Sequence, residues 1–247
     1  MLGRKNESAR SEGAVLARVR VPARSPRQRQ REGTYPGGMV ELGLFPLPIV
    51  LLPTERVPLH IFEPRYRELI EECLETGSEF GLVFAADEGA VYEIGTRAAV
   101  EEVLDRPEDG LLNIIVEGRG RFRLLELTSG RSFATGLVAD LTDDEEPPEQ
   151  HEVTRALDAF AALVAETESP VDVPEPDSPL VDFELAARVD FGPEAKQELL
   201  ASTSPRERLE RLTELLEIAL EAVRLEKTLR DRAGKNGKVT PLELGDA

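Results

Sequence analysis

The hydrophobic period of this chain changes once, after Glu145, and that change limits the folds open to it. Before it, apolar residues come in short runs between turn residues, the pattern of strands. After it they recur every three or four residues, the pattern of helices. Strands followed by helices argue for an α+β protein rather than an alternating α/β one. The 247 residues allow one large domain or two modest ones, each with a real core.

The first half predicts many short strands and one helix. Val40–Pro53 is apolar, but Pro46, Pro48 and Pro53 lack a ladder donor. That points to edge strands or a bent, extended entry. Val57–Phe62 reads as a short strand. Pro64 then suits a first helical position and Gly77 a left-handed stop. Tyr66, Leu69, Ile70, Cys73 and Leu74 fall on one face of that helix, so Cys73 reads as core rather than reactive. Further strands are expected over Glu79–Ala86, Tyr92–Leu104, Leu111–Glu117, Arg121–Leu127 and Ser132–Leu141. Gly118-Arg119-Gly120 reads as a hairpin tip, and Asp105–Gly110 as another turn. This pattern suggests a compact, barrel-like β domain.

The second half predicts a small helical bundle. Gln150–Glu166 places Val153, Leu157, Phe160, Ala161 and Val164 on one helical face. A proline-rich loop follows over Ser169–Pro179, then short helices at Leu180–Val189 and Pro193–Ala201. Ser204–Arg230 is the strongest helix, with Ser204 as N-cap, Pro205 at the first position and Glu207 completing a capping box. Its stripe of Leu209, Leu212, Leu216, Ala219 and Val223 fits the internal bundle or a homodimer. The expected divisions are a basic arm over 1–38, a β-barrel subdomain over 39–146, a helical subdomain over 147–233 and a flexible tail over 234–247.

Charge is unevenly placed. The formal net charge is -18. Residues 1–32 hold nine basic and three acidic residues, +6, so the remainder carries -24. Residues 140–190 hold 16 acidic and two basic residues, -14, which reads as a solvated joint between the two halves. An acidic body argues against bulk affinity for nucleic acid. The arm lacks any period and any apolar h-region. It reads as a disordered basic tail, as a targeting segment, or as sequence upstream of a true start at Met39. No run of 18 apolar residues occurs, so a membrane helix is not expected and the cytoplasm is the default compartment.

The chemistry of common enzymes is missing. One cysteine excludes an internal disulfide and any Cys-based metal cluster, and two histidines leave little for a His-rich one. Neither a metal nor another cofactor is expected. No phosphate loop, dinucleotide fingerprint, nucleophile elbow or His-Glu-x-x-His occurs. Acidic pairs such as Glu71–Glu72, Glu101–Glu102 and Asp143–Asp144 read as solvated faces. His60 reads as half-buried and bonded to backbone, with no nucleophile to serve. Arg119, Arg121 and Arg123 alternate, which would put them on one strand face beside acids such as Glu117 or Glu126.

The order of motifs resembles a known family. FPLPIVLLPTERVPLHIFEPRYRELI, then YEIGTRAAVEEV, then GLLNIIVEGRGRFRLLEL, is similar to the N-terminal substrate-binding domain of Lon proteases. QELLASTSPRERLERLTELLE resembles the helical part that follows. The resemblance covers about residues 40–225. It implies a PUA-like β-barrel with one helix, followed by a helical bundle. The ATPase and Ser–Lys protease modules of full-length Lon do not fit within this chain, which looks like a stand-alone domain without catalysis. The implied partners are unfolded or exposed polypeptide segments and a protease served by this chain as an adaptor. The candidate contact set is Pro58, His60, Phe62, Arg65 and Tyr66 with Arg119, Arg121 and Phe122. An RNA-associated PUA-like module is the alternative, supported by the arm alone.

Overall fold

The computed structural model describes residues 34–35, 38–85, 91–105, 111–144 and 146–236. The basic arm, apart from residues 34, 35 and 38, the Asp105–Gly110 turn after its first residue, and the tail beyond Asn236 lie outside the described residues. The fold is α+β. Seven strands form one sheet: β1 (Thr34–Tyr35), β2 (Met39–Leu47), β3 (Arg56–Ile61), β4 (Phe80–Ala85), β5 (Val91–Asp105), β6 (Leu112–Thr128) and β7 (Ala134–Leu141). Helix α1 (Pro64–Thr76) lies between β3 and β4. Helices α2 (Gln150–Thr167), α3 (Val181–Ala186), α4 (Pro193–Ala201) and α5 (Pro205–Asn236) follow the strands.

Pairing runs from β2 to β4, β5, β6 and β7, and β7 pairs back onto β2. Five strands therefore close a circuit, and β3 adds to β6 outside it. All five converge on Phe122 of β6. Leu42 and Leu44 of β2, Val83 of β4 and Val138 of β7 cluster with it. A Cβ on Gly95 of β5 would stand 2.6 Å from its ring tip, and one on Gly81 of β4 2.8 Å. The glycines leave room for the ring.

The prolines of the opening segment are placed as their missing donor requires. Strand β2 pairs β7 over Val40–Leu44 and β4 over Leu44–Leu47. Pro46 sits where the β7 partner has ended, and the chain leaves the sheet by Pro48. Helix α1 begins at Pro64 and stops at Gly77, whose φ of 69° is left-handed. Tyr66, Leu69, Ile70 and Cys73 face the sheet. Burial pushes the Cys73 thiol up to about 11, as suits a core residue.

The expected hairpin at Gly118–Gly120 does not form. Strand β6 runs unbroken through it, and β5 pairs along both of its halves. Gly118 is required for a different reason. The loop Leu52–Glu55 crosses β6 there, with Thr54 N–H donating to Gly118 O and Gly118 N–H to Glu55 O, each at 2.9 Å. A Cβ on Gly118 would lie 2.1 Å from Leu52 O. Gly118→Ala should destabilise the protein by about 1–3 kcal/mol in denaturant unfolding, because backbone cannot step aside. Gly120→Ala, whose new Cβ meets nothing nearer than 3.9 Å, should fall within about 0.5 kcal/mol of wild type. A hairpin tip would make Gly120 at least as sensitive.

The helices pack together and against the sheet. Helix α2 lies along α5 in the same direction, with Arg206 bonded to Glu152, Arg155 to Glu217, and Arg224 to Glu166. Their shared core takes in Phe160, Phe183, Leu209, Leu212 and Leu216, and reaches Leu52 and Ile94 on the strand side. The apolar stripe of α5 is thus used inside the chain. Among the described residues, no helix is long and apolar enough to cross a membrane.

Candidate functional site

Strand β3 ends the sheet and pairs only with β6 among the described residues. Its alternation is plain. Leu59 and Ile61 are buried, while Arg56, Pro58 and His60 are exposed, and Phe62 continues the outward row at 63% exposure. A phenylalanine this bare sits beside a strand edge rather than under a loop. The row is stiffened by a bond of 2.5 Å between His60 Nδ1 and Asn113 Oδ1 on the neighbouring strand. His60 was expected to be half-buried and bonded to backbone; it is exposed and bonds a side chain. Its ring centroid lies 6.4 Å from that of Phe62.

Arg65, in the first turn of α1, adds an exposed cation to this end of the strand. It pairs with Glu63 at 2.8 Å and lies over the Tyr66 ring at 4.5 Å. Tyr66 itself is buried and stacks on Phe45 with centroids 4.1 Å apart. Burial pushes its phenol above the ordinary value. Pro58, His60 and Phe62 therefore form one outward row, which Arg65 follows in the chain, while Tyr66 packs with the inward residues Leu59 and Ile61.

The three remaining candidates lie apart. Phe122 is wholly buried in the strand circuit. Arg119 is exposed and pairs with Glu101 and, at 3.1 Å, with Glu117. Arg121 is buried. Arg119 does not share a face with the other two, because β6 carries a bulge here. Ala98 pairs with Gly118 and Thr96 with Arg121, so Arg119 and Gly120 together oppose Arg97 alone. Beyond the bulge the register is regular, so Arg121 and Arg123 share a face; the helices cover Arg121 and leave Arg123 exposed.

Arg121 belongs to a joint between strands and helices. Its Nη1 donates to Leu200 O at 2.7 Å and Ser202 O at 2.6 Å, and its Nη2 to Asp143. Arg208 of α5 donates to both oxygens of Asp143, at 2.9 and 2.8 Å, and through Nε to Asp182 at 2.7 Å. Both guanidiniums lie over the Phe183 ring. Two carboxylates of the 140–190 stretch thus serve inside the fold, which corrects the reading of that stretch as only a solvated joint. A second tie runs from Lys196 of α4 to Glu55 at 2.5 Å, and Glu55 also accepts from Leu52 N–H at 2.9 Å. Sequence reasoning missed Glu55, Lys196, Asp143, Asp182 and Arg208. No local pattern marks them, since each partner is distant in the chain.

The family signature spans both parts of this arrangement. The profile of the ATP-dependent protease La (LON) substrate-binding domain matches residues 41–217. The chain belongs to this family.

Curated Lon-family relatives agree. The Lon protease of Rhizobium meliloti (strain 1021) is 29% identical over 216 residues, which is 79% of this chain and 26% of that protein. Lon protease 1 of Hydrogenovibrio crunogenus is 26% identical over 204 residues, 76% of this chain and 25% of that protein. The chain thus spans about a quarter of the Lon proteases it matches. Among solved structures, a Lon N-terminal domain protein from Xanthomonas campestris superposes with a TM-score of 0.57 at 28% identity. The match covers 70% of this chain and 96% of that one. The N-terminal domain of a Mycobacterium avium complex Lon protease gives a TM-score of 0.59 at 18% identity, over 71% and 97%. That likeness establishes the fold alone.

Proposed function

We propose that this Lon-type domain is a non-catalytic module that binds exposed polypeptide segments at the β3 edge. The observation that carries the reading is the outward row ending in Phe62, on a strand that pairs on one side only among the described residues. An extended segment laid there would cover Phe62 and Pro58 and find polar partners in His60 and Arg65. Pro58 has no N–H to offer, so a full new ladder cannot form. Binding would then rest on side-chain contacts and stay reversible, as a recognition step before unfolding requires.

The remaining expectations belong to the same reading. The closed five-strand circuit supports a PUA-like barrel over residues 39–146. The α2–α5 pairing supports a helical unit over 147–233. An adaptor role beside a protease, location in the cytoplasm and a homodimer are parts of this proposal. Phe62→Ser tests its centre. Affinity for a fluorescent, unstructured peptide should fall about tenfold, the scale of losing one buried aromatic contact. The unfolding midpoint should hold, because Phe62 packs on little. Equal affinity in wild type and variant would remove the β3 edge from the reading.

A further inference from the structure

A cleft of about 530 Å³ opens where β3 begins, between the strands and helix α3. Thr54, Glu55 and Arg56 line one side, Glu117 another, and Glu184 and Arg188 the helical wall. Arg56 is also the first residue of the outward row Arg56, Pro58, His60, Phe62. The cleft therefore continues the surface assigned above to a polypeptide.

Its charges are not equally available. Glu55 holds Lys196 and the Leu52 N–H. Glu117 holds Arg119, which also pairs with Glu101. Glu184 accepts from Ser178 at 2.6 Å. Glu55 and Glu117 each face a cation of the protein, and Glu184 meets a hydroxyl. The two guanidiniums keep hydrogen-bond donors unused. Arg188 lies just past α3, is exposed and gives one bond to the Glu184 carbonyl, leaving most of its donors unused. Arg56 is exposed and stands opposite Glu117 across the strands, its charge acting on that carboxyl, but it makes no hydrogen bond among the described residues. The body of this chain is strongly acidic, yet the unused groups of this cleft are cationic donors.

The floor of the cleft is built under strain. Thr54 takes a φ of 68°, the left-handed region that a β-branched residue avoids. Its N–H bond to Gly118 O and the neighbouring turn from Glu55 N–H to Leu52 O hold it there. The loop is thereby fixed against β6, and Arg56 enters β3 from a rigid base.

We infer that this cleft receives a carboxylate of the bound polypeptide, at the Arg56 end of the β3 row. The inference rests on the β3 reading and adds polarity to it. The apolar part of a segment lies toward Phe62, and its carboxylate is held between Arg56 and Arg188 by charge-assisted bonds. A chain terminus and an acidic side chain offer the same chemistry.

The test uses three fluorescein-labelled peptides of alternating Val and Ser with one Phe. One ends in a free carboxylate, one is amidated, and one is amidated with a single Glu added. Anisotropy titration should show both carboxylate peptides, or one of them, binding about tenfold more tightly than the neutral amide. Tighter binding by one names the source of the carboxylate. Arg56→Gln and Arg188→Gln should each shrink that preference, and the double variant should abolish it. Phe62→Ser should weaken all three. Equal binding of the three peptides, still dependent on Phe62, would overturn the cleft inference and leave the β3 reading standing. A carboxylate preference indifferent to both arginines would do the same. Failure of every peptide to bind would overturn both.

Discussion

Arg208→Ala should destabilise the folded protein by about 3–5 kcal/mol, the scale of breaking a buried ion pair from one side. Arg208 is 2% exposed. It serves Asp143, Asp182 and the Ser202 carbonyl at once. Its loss leaves Asp182 buried without its directly bonded cation, with only the more distant Arg121 charge nearby. Burial already pushes the Asp182 carboxyl above its ordinary value of 3.8, against the pull of Arg208. Without Arg208 that upward push is unopposed by its main partner. The folded variant then holds a proton more tightly than the unfolded chain does. Such a group lowers stability as pH rises through its folded pKa and restores it below the unfolded one. Denaturant unfolding should therefore show the deficit largest near neutral pH and smaller in mild acid. Arg208→Met combined with Asp182→Leu should recover much of the loss, because the orphaned carboxylate is gone. A loss below about 1 kcal/mol for Arg208→Ala would mean that the joint is solvated in practice.

Phe122→Ala should cost a similar amount, about 3–5 kcal/mol, through the cavity left in the strand circuit. Its context allows a sharper test. Gly81 and Gly95 both face the ring, but they differ in what else surrounds them. A Cβ on Gly81 would meet only side-chain ends, those of Leu44, Phe122 and Leu42. A Cβ on Gly95 would also stand 2.7 Å from the Leu82 carbonyl. Gly81→Ala should therefore harm the wild type yet partly restore Phe122→Ala, a non-additive pair. Gly95→Ala should harm both backgrounds. Additive losses for Gly81→Ala would show that Phe122 is not what holds that space.

The elements of this fold were largely legible, and the reason is local. Pro64 and Gly77 bracket α1 because one fits a first turn and the other a left-handed stop. Neither needs a distant partner. Pro193 and Pro205 mark α4 and α5 in the same way. Gly118 was not legible. A glycine in a strand signals either a turn or a close approach, and the approaching atom, Leu52 O, belongs to another part of the chain. The shared face of Arg119 and Arg121 failed for a related reason. Alternation places residues on faces only while register holds, and the bulge opposite Arg97 breaks it. In the candidate site, Pro58, His60 and Phe62 were named through the family resemblance; period two lets such a row share a face but does not say which face is outward, and His60 was expected half-buried. The burial of Phe122 depends on five strands closing around it, and the cleft between Arg56 and Arg188 on how α3 meets the strands, neither of which a short window records.

The closed circuit has a consequence for how the chain is made. Of the five strands in the circuit, β2 emerges from the ribosome first, and it is held on both sides by later strands. Leu44 awaits Gly81 for its parallel partner, and Val40 awaits Val138. The neighbours β5, β6 and β7 can pair in order as they appear. The first strand, with its leucines, stays unsealed until the last is out. Synthesis runs at about 5–20 residues per second, so that interval lasts for seconds. A nascent chain of this domain therefore displays, for that time, the kind of apolar extended segment that the finished domain is proposed to bind.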